Sequence, residues 1–371
     1  MKKANMKKRK IWPLTVVYIY LTERCNLKCV HCWLDASDKK INYKEPEIKH
    51  YLRFLQQARK LGLGLVKISG GEPLLRKKIL IELVMKCKEM EINSCVETNA
   101  TLITEEIGST LASANTGVSI SMDFIDPKMH NEFRGSDKAF EMMEKGLYIL
   151  RKHNIRVEAI MALTKENICQ IEDIIKYLKN RSNVYEIKVN PVMPLGRAAK
   201  LEEKGLLFKP SELLDVSYKL HDLSKSINFP IKLHVPPSIR PLSAVVNGLC
   251  GGKCSFPNLL GILGNGNISF CGIGYEKPEF CFGNIQSEKL DLDKIWGTTQ
   301  ILKEIRKDIP KNLKGVCSKC MHKISCKGEC RIYAEFIYKS FDAPFPTCQN
   351  LYEEGIFPET RLIPESYGIY H

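Results

Sequence analysis

Between residues 16 and 190 the chain switches repeatedly between two hydrophobic periods. Short apolar runs such as residues 16–21 (VVYIYL) and 65–69 (LVKIS) alternate with longer stretches whose apolar positions recur every three to four residues. The first pattern predicts strands and the second amphipathic helices. Strands are expected at residues 16–21, 65–69, 92–96, 117–122, 156–163 and 185–190. Helices are expected at 46–61, 77–90, 104–112, 138–153 and 167–180. Strands alternating with helices imply parallel βα units joined by right-handed crossovers. The expected fold is therefore α/β: a partial (β/α)6 barrel, open relative to the closed eight-stranded form. In such a barrel the chemistry belongs at the C-terminal ends of the strands.

From about residue 195 the pattern changes. Residues 210–226 form one further amphipathic helix, and 229–241 are Pro-rich and extended. From 249 the chain is rich in Gly and Cys, with a short hairpin expected at 259–271 around Asn265-Gly266-Asn267. Little periodicity survives there, so bound metal is expected to hold that region together. The divisions that follow are a basic tail (1–14), the barrel (15–196), a helical and extended linker (197–248), a small Cys-rich domain (249–350) and a C-terminal tail (351–371).

Composition changes this picture little: 44% hydrophobic and 26% charged residues suit an ordinary water-soluble protein. The net charge of +14 is spread over helical faces and the tail Lys2-Lys3…Lys7-Lys8-Arg9-Lys10. Such charge favours acidic partners, a small acidic electron carrier or an acidic peptide. It does not suggest nucleic acid, because no basic run is interleaved with aromatics for base stacking. No membrane partner is expected either. The apolar run at 11–21 is too short to span a bilayer, and the basic start lacks a signal segment. A cytoplasmic location follows.

The fifteen cysteines carry the chemistry. Cys25, Cys29 and Cys32 form C-x3-C-x2-C directly after the first strand, on the functional face. A chain of this length needs no disulfide staples, and a cytoplasmic location favours reduced or metal-bound thiols. Zinc wants four ligands, and a lone triplet is an odd zinc site. Three thiolates suit a 4Fe-4S cluster with one open iron. Downstream, Cys317, Cys320, Cys326 and Cys330 form C-x2-C-x5-C-x3-C, for which zinc remains an alternative. Cys87, Cys95 and Cys169 lie in helix or strand patterns and read as small buried hydrophobes.

The stretch Cys25–Cys32 (CNLKCVHC) with Gly70-Gly71-Glu72-Pro73 resembles the radical S-adenosylmethionine (SAM) superfamily. The resemblance implies one 4Fe-4S cluster on Cys25, Cys29 and Cys32, with SAM bound at its open iron. Reductive cleavage of SAM would yield a 5′-deoxyadenosyl radical that abstracts hydrogen. In the family the GGEP loop holds the methionine amino group, glycines allowing close approach and Glu72 accepting from an ammonium. Polar groups at strand ends, here Thr98, Asn99, Ser119, Ser121 and Asp123, contact ribose and carboxylate, or else simply cap helices. Arg134, in Ser121-x-Asp123…His130-x3-Arg134-Gly135, would neutralise the SAM carboxylate. Ala100 follows Asn99 where the family often has Gly. Leu163, Asn167 and Met193 are candidates for the adenine and ribose surroundings, and are equally explained as core or caps.

The C-terminal frame resembles the SPASM extension of peptide-modifying radical SAM enzymes: Cys254, eleven residues, Gly266, four residues, Cys271, then the Cys317–Cys330 run, then Cys348. That resemblance implies two auxiliary 4Fe-4S clusters, three in all. One would take Cys254, Cys271 and Cys330, the other Cys317, Cys320, Cys326 and Cys348. The fourth ligand of the first is Cys250 or Cys281; Cys281 is otherwise a hydrogen-atom donor. The implied substrate is a ribosomally made peptide, cross-linked or epimerised. The implied electron donor is a ferredoxin or flavodoxin. The barrel begins near residue 16, so a leader-binding domain is expected on a separate protein. Gly272 follows Cys271 where sulfatase-maturing members carry Asp. Haem-pathway decarboxylases or deacylases are the alternative enzyme class, and an iron–sulfur electron carrier the alternative of another kind.

Overall fold

A computed structural model describes residues 12–39, 41–181, 183–247, 254–272 and 277–364. Its centre is one ten-stranded sheet of order β10-β9-β8-β1-β2-β3-β4-β5-β6-β7 that does not close. The six expected strands are β1 (Val16–Tyr20), β2 (Leu65–Ser69), β3 (Asn93–Thr98), β4 (Gly117–Ser121), β5 (Val157–Leu163) and β6 (Val184–Pro191). All pair in parallel. The crossover helices are α1 (Ile48–Lys60), α2 (Lys77–Glu89), α3 (Glu105–Ser113), α4 (Pro127–Arg134), α5 (Ala139–Lys152) and α6 (Ile171–Lys179). Of these α4 was not expected. Its signals are local: Asp126 accepts from Met129 N at its start, Pro127 opens it, and Gly135 closes it at φ +67°.

Strand pleating sorts the two faces. Val17, Ile19, Val66, Ile68, Val96, Val118, Ile120, Ala159 and Met161 are buried against the helices. Among the alternate positions, which face the concave side, polar side chains stand next to one another across the strands. Tyr18 lies beside Lys67, Lys67 beside Cys95, Glu97 beside Ser119, Ser119 beside Glu158, and Glu158 beside Glu186.

The sheet runs past the six strands at both ends. After α7 (Ala199–Glu203) and α8 (Pro210–Ile227), β7 (Ile231–Leu233) pairs with β6, inside the stretch that reads as extended linker. Beyond α9 (Leu242–Val246), β8 (Leu259–Ile262) pairs in parallel with β1, and β9 (Asn267–Ser269) and β10 (Gly283–Asn284) complete an antiparallel edge. The expected hairpin is thus present, as an edge of the barrel sheet. The remaining helices are α10 (Leu292–Thr298), α11 (Gln300–Asp308), α12 (Val316–Lys319), α13 (Lys323–Cys326), α14 (Arg331–Tyr338) and α15 (Pro346–Glu353).

The barrel's apolar core continues into this region, contrary to the expectation that metal would hold it together. Trp296, Phe270, Phe280, Leu302 and Ile305 are all buried, with Phe270 edge-on to Phe280 and Phe282. Helices of four to nine residues are too short to show periodicity in a sequence window, which is why the pattern was invisible. Side chains of α1 fasten the region to the barrel. Arg53 Nη2 donates to Ile285 O at 2.7 Å and Ser287 O at 2.5 Å, and Gln57 bonds Leu290 O and Leu292 N.

Candidate active site

The loop after β1 carries Cys25 and Cys29, buried, and Cys32, half-buried, around Leu27, Ala36 and Ala139. It is braced by backbone from three directions. Gly71 N donates to Thr22 O at 2.7 Å and Glu72 N to Arg24 O at 2.8 Å. A Cβ on Gly71 would stand 2.0 Å from Arg24 O, so the glycine serves close packing of one strand-end loop on another. Lys28 N and Val30 N donate to the carbonyls of Arg134 and Phe133 at the end of α4. From the loop after β6, Arg197 N donates to Cys32 O, its Nε to Cys29 O at 2.7 Å, its Nη2 to Ala36 O, and its Nη1 to Asp35 at 2.6 Å. Sequence reasoning missed Arg197, whose only signal was Gly-Arg after the sixth strand.

Glu72 is fully buried. Oε1 accepts from Leu74 N at 3.0 Å and Thr98 Oγ1 at 2.7 Å, and Oε2 accepts from Asn99 N at 2.9 Å. Burial raises its pKa to about 7, against the pull of those donors. Its carboxylate therefore joins the ends of β2 and β3 and keeps little accepting capacity for a ligand. Pro73 starts the short 3-10 turn behind it, and Gly70 takes φ +142°, where a Cβ would stand 2.5 Å from Thr22 O. Asn99 Nδ2 reaches Asn26 Oδ1 at 3.0 Å and Cys25 Sγ at 3.8 Å.

Arg134 forms a buried ion pair with Asp123, Nε–Oδ2 2.6 Å and Nη2–Oδ2 2.5 Å, and its Nη1 lies 3.8 Å from Cys29 Sγ. Asp123 Oδ1 accepts from Ala162 N. The pair thus ties the ends of β4 and β5 to the cysteine loop. Ser119 donates to Glu158 Oε2 at 2.8 Å on the concave face, and Ser121 is half-buried at the end of β4. Leu163 packs in the helix-side core, and Asn167 caps the turn after β5 through Thr164 N and Ala162 O. Met193 is half-buried beyond β6.

The downstream thiols form two groups. Cys317, Cys320, Cys326 and Cys348 line one cavity with Ser238, His322 and Phe345. Backbone amides point at their sulfurs: Phe345 N to Cys317 and His322 N to Cys320, with Ser238 Oγ 3.3 Å from Cys348. Cys254, Cys271 and Cys330 lie outside the lining of that cavity. Cys254 and Cys330 interact electrostatically, and both Cys254 and Cys271 act on Tyr18. Cys281 is exposed, its Sγ 3.6 Å from Gly283 O. Cys250 lies outside the described residues. Cys87 is buried as expected, whereas Cys169 is exposed.

The two cysteine regions meet across aromatic rings. Tyr20 packs edge-on to Trp33, the residue after Cys32, at 6.0 Å. Gly272, the residue after Cys271, lies against both: a Cβ there would stand 2.3 Å from Trp33 and 2.5 Å from Tyr20.

The donor sets suit iron–sulfur clusters. Without a metal, burial pushes the Cys25 thiol up to about 12, and a bound cluster would take it as a thiolate. Beside the first set, His31 stacks on Phe133 at 4.5 Å, and its buried Nδ1 has no partner among the described residues. Burial holds its pKa well below the usual value, so the ring is a neutral polar surface for a ligand.

Comparison with known proteins agrees. Residues 19–178 match the radical SAM superfamily and residues 254–321 the SPASM iron–sulfur cluster-binding domain. The chain is 26% identical over 375 residues to Fe-coproporphyrin III synthase of Methanosarcina barkeri, covering 91% of this chain and 88% of that protein. It is 25% identical over 354 residues to the mycofactocin maturase MftC of Mycobacterium tuberculosis, covering 93% and 85%. SuiB of Streptococcus suis bound to its precursor peptide SuiA has the same fold, with TM-score 0.69 at 22% identity over 91% of this chain and 76% of that one.

Proposed function

We propose, from the premise that this chain belongs to the radical SAM superfamily and carries a C-terminal SPASM domain, that it modifies a ribosomally made peptide by cross-linking or epimerisation. When bound, the cluster and SAM supply the hydrogen-abstracting radical. Cys25, Cys29 and Cys32 would hold that cluster, with Asn99 and Arg134 beside two of its sulfurs. Cys317, Cys320, Cys326 and Cys348 would hold one auxiliary cluster. Cys254, Cys271 and Cys330 would hold the other, with Cys250 as fourth ligand in preference to the exposed Cys281.

The observation that carries the peptide reading is the polar concave face. Lys67 Nζ lies 3.5 Å from Glu97, and Ser119 donates to Glu158. Such a wall offers donors and acceptors to amides and polar side chains, where a flat macrocycle wants an apolar slot. The peptide-bound relative of the same fold supports it. A ferredoxin or flavodoxin would deliver electrons, and a separate protein would present the leader. The tetrapyrrole reading is favoured by the likeness to the coproporphyrin-forming enzyme.

Reconstituted protein with dithionite and SAM, offered short peptides encoded beside its gene or an iron coproporphyrin, tests this. Formation of 5′-deoxyadenosine together with loss of a hydrogen pair from the peptide, or deuterium uptake without mass loss, is expected. Turnover with the tetrapyrrole alone overturns the peptide reading. Loss of roughly four irons on Cys250→Ala but not Cys281→Ala is expected; the reverse assigns the ligand to Cys281.

A further inference from the structure

The turn that carries Cys320 and Cys326 is a knuckle at the protein surface. Lys323 N donates to Cys320 O at 2.9 Å, Cys326 N to His322 O at 2.7 Å and Lys327 N to Lys323 O at 3.0 Å, so residues 320–327 close on themselves. The segment 361–363 clamps the stem: Met321 N donates to Arg361 O and Ile363 N to Lys319 O, both at 2.8 Å. A turn this tight divides its side chains. Cys320, His322 and Cys326 line the thiol cavity, with Lys323 beside them. Met321 and Ile324 go the other way and are 52% and 68% exposed. A scattered exposed apolar side chain needs no explanation, but two on one braced turn make the apolar centre of a small interface.

Charge frames them. Residues 311–340 hold seven lysines and arginines against two glutamates. Glu335 is taken by Lys277 at 2.5 Å, and Glu329, its side chain 15% exposed, faces His234 at 3.6 Å. Lys319 is exposed and lies over the Tyr352 ring, 5.8 Å from its centroid; Lys323 and Lys327 are half-exposed. None of these three forms an ion pair among the described residues. The neighbouring α15 and the turn after it carry Glu353, Glu354 and Glu359, so the positive excess is local to this face.

We propose that this knuckle is the docking surface for a small acidic one-electron carrier protein, with Met321 and Ile324 as its apolar centre and Lys319, Lys323 and Lys327 as its positive rim. The inference rests on the reading above that such a carrier delivers electrons, and gives the carrier a place. The carrier's reduced group would lose one electron and the cluster held by Cys317, Cys320, Cys326 and Cys348 would gain it, with no bond made or broken. Electron transfer slows steeply with separation, so the carrier must sit against the backbone that holds the thiols, and this turn supplies two of the four. A partner that served recognition alone would gain nothing from that position. A small apolar centre with unpaired lysines suits a weak, electrostatically steered complex.

The test uses the reconstituted full chain and a purified flavodoxin. Calorimetry reads the affinity, and stopped-flow bleaching of the clusters reads the reduction rate, with reduced methyl viologen as a small reductant that needs no docking. Wild-type binding should weaken as added salt screens the rim. Lys319→Glu/Ile324→Glu should weaken flavodoxin binding about tenfold or more and slow reduction by flavodoxin alike. Iron content and reduction by viologen should stay as in the wild type. Flavodoxin that does not bind the wild type, or binds the variant as tightly, overturns the proposal. So does an equal slowing with viologen, which would place the effect in the cluster itself. A wild-type dimer that Ile324→Glu dissociates would make a second copy of this chain the occupant and overturn it too. If the double variant loses iron, the single truncations Lys319→Ala and Ile324→Ala decide by the same affinities. Binding and reduction are read without SAM or substrate, so failure here is distinct from failure of the peptide reading, on which 5′-deoxyadenosine and peptide products report separately.

Discussion

The two cysteine regions solve one problem in opposite ways. The N-terminal thiols sit on a single loop of eight residues whose shape comes from the barrel. The carbonyls of Thr22, Arg24, Phe133 and Arg134, accepting from the amides of Gly71, Glu72, Val30 and Lys28, and the side chain of Arg197 hold it. The C-terminal thiols span residues 254–348, and amides or a hydroxyl meet the sulfurs of Cys317, Cys320, Cys330 and Cys348, two of them from distant segments. The contrast teaches that the first site is a product of the fold, whereas the second is partly a cause of its own.

The largest effect should come from Cys32→Ala. SAM cleavage should be abolished and iron fall from about twelve to about eight per chain, with the barrel intact. 5′-deoxyadenosine from the dithionite-reduced variant would refute the assignment. Cys348→Ala should remove roughly four irons and, unlike Cys32→Ala, loosen the fold around it. Hydrogen exchange would then rise across 316–353 while the strands β2–β5 stay protected. Uniform protection in both regions would erase the contrast.

Arg134→Ala strands the buried Asp123, a kind of loss that costs about 3–5 kcal/mol. Denaturant unfolding of the metal-free chain should show it, and SAM affinity should fall along with it. A stable variant with weakened SAM binding would make Arg134 a ligand contact rather than a tie between β4, β5 and the cysteine loop. Gly272→Ala drives a methyl into Trp33 and Tyr20, where overpacking costs about 1–3 kcal/mol. The expected sign is a split unfolding transition, since that contact joins the two regions. A single sharp transition with unchanged midpoint would show that the β1–β8 pairing and α1 suffice to couple them.

The smallest effect should be at Ala100, which holds a left-handed φ of +64°. Glycine relieves about 1–2 kcal/mol of strain. It also loses a buried methyl worth about 0.8 kcal/mol and adds unfolded-state entropy of about 0.4–1 kcal/mol. Ala100→Gly should therefore leave the unfolding midpoint nearly unchanged.

Six strands, five helices and the grouping of thiols into a triplet and a distant frame were legible in the chain itself. Each depends on residues within a few positions of one another: β-branched alternation, helical periodicity, Cys spacing. GGEP and Arg134 were legible as motifs, yet their present partners were not. Glu72 bonds the end of β3 and Arg134 pairs with Asp123. The linker strand β7 and the α1 clamp on Ile285 were also hidden. Arg197 carried no periodic signal, because a single side chain leaves no pattern. Local spacing decided which elements form and which thiols fall into a triplet or a frame. Only the tertiary structure decided which carbonyls receive Arg197, which thiols share a cavity, and which rings stand between the two sites. Such contacts join segments no sequence window spans, Arg197 to Cys29 for instance across 168 residues.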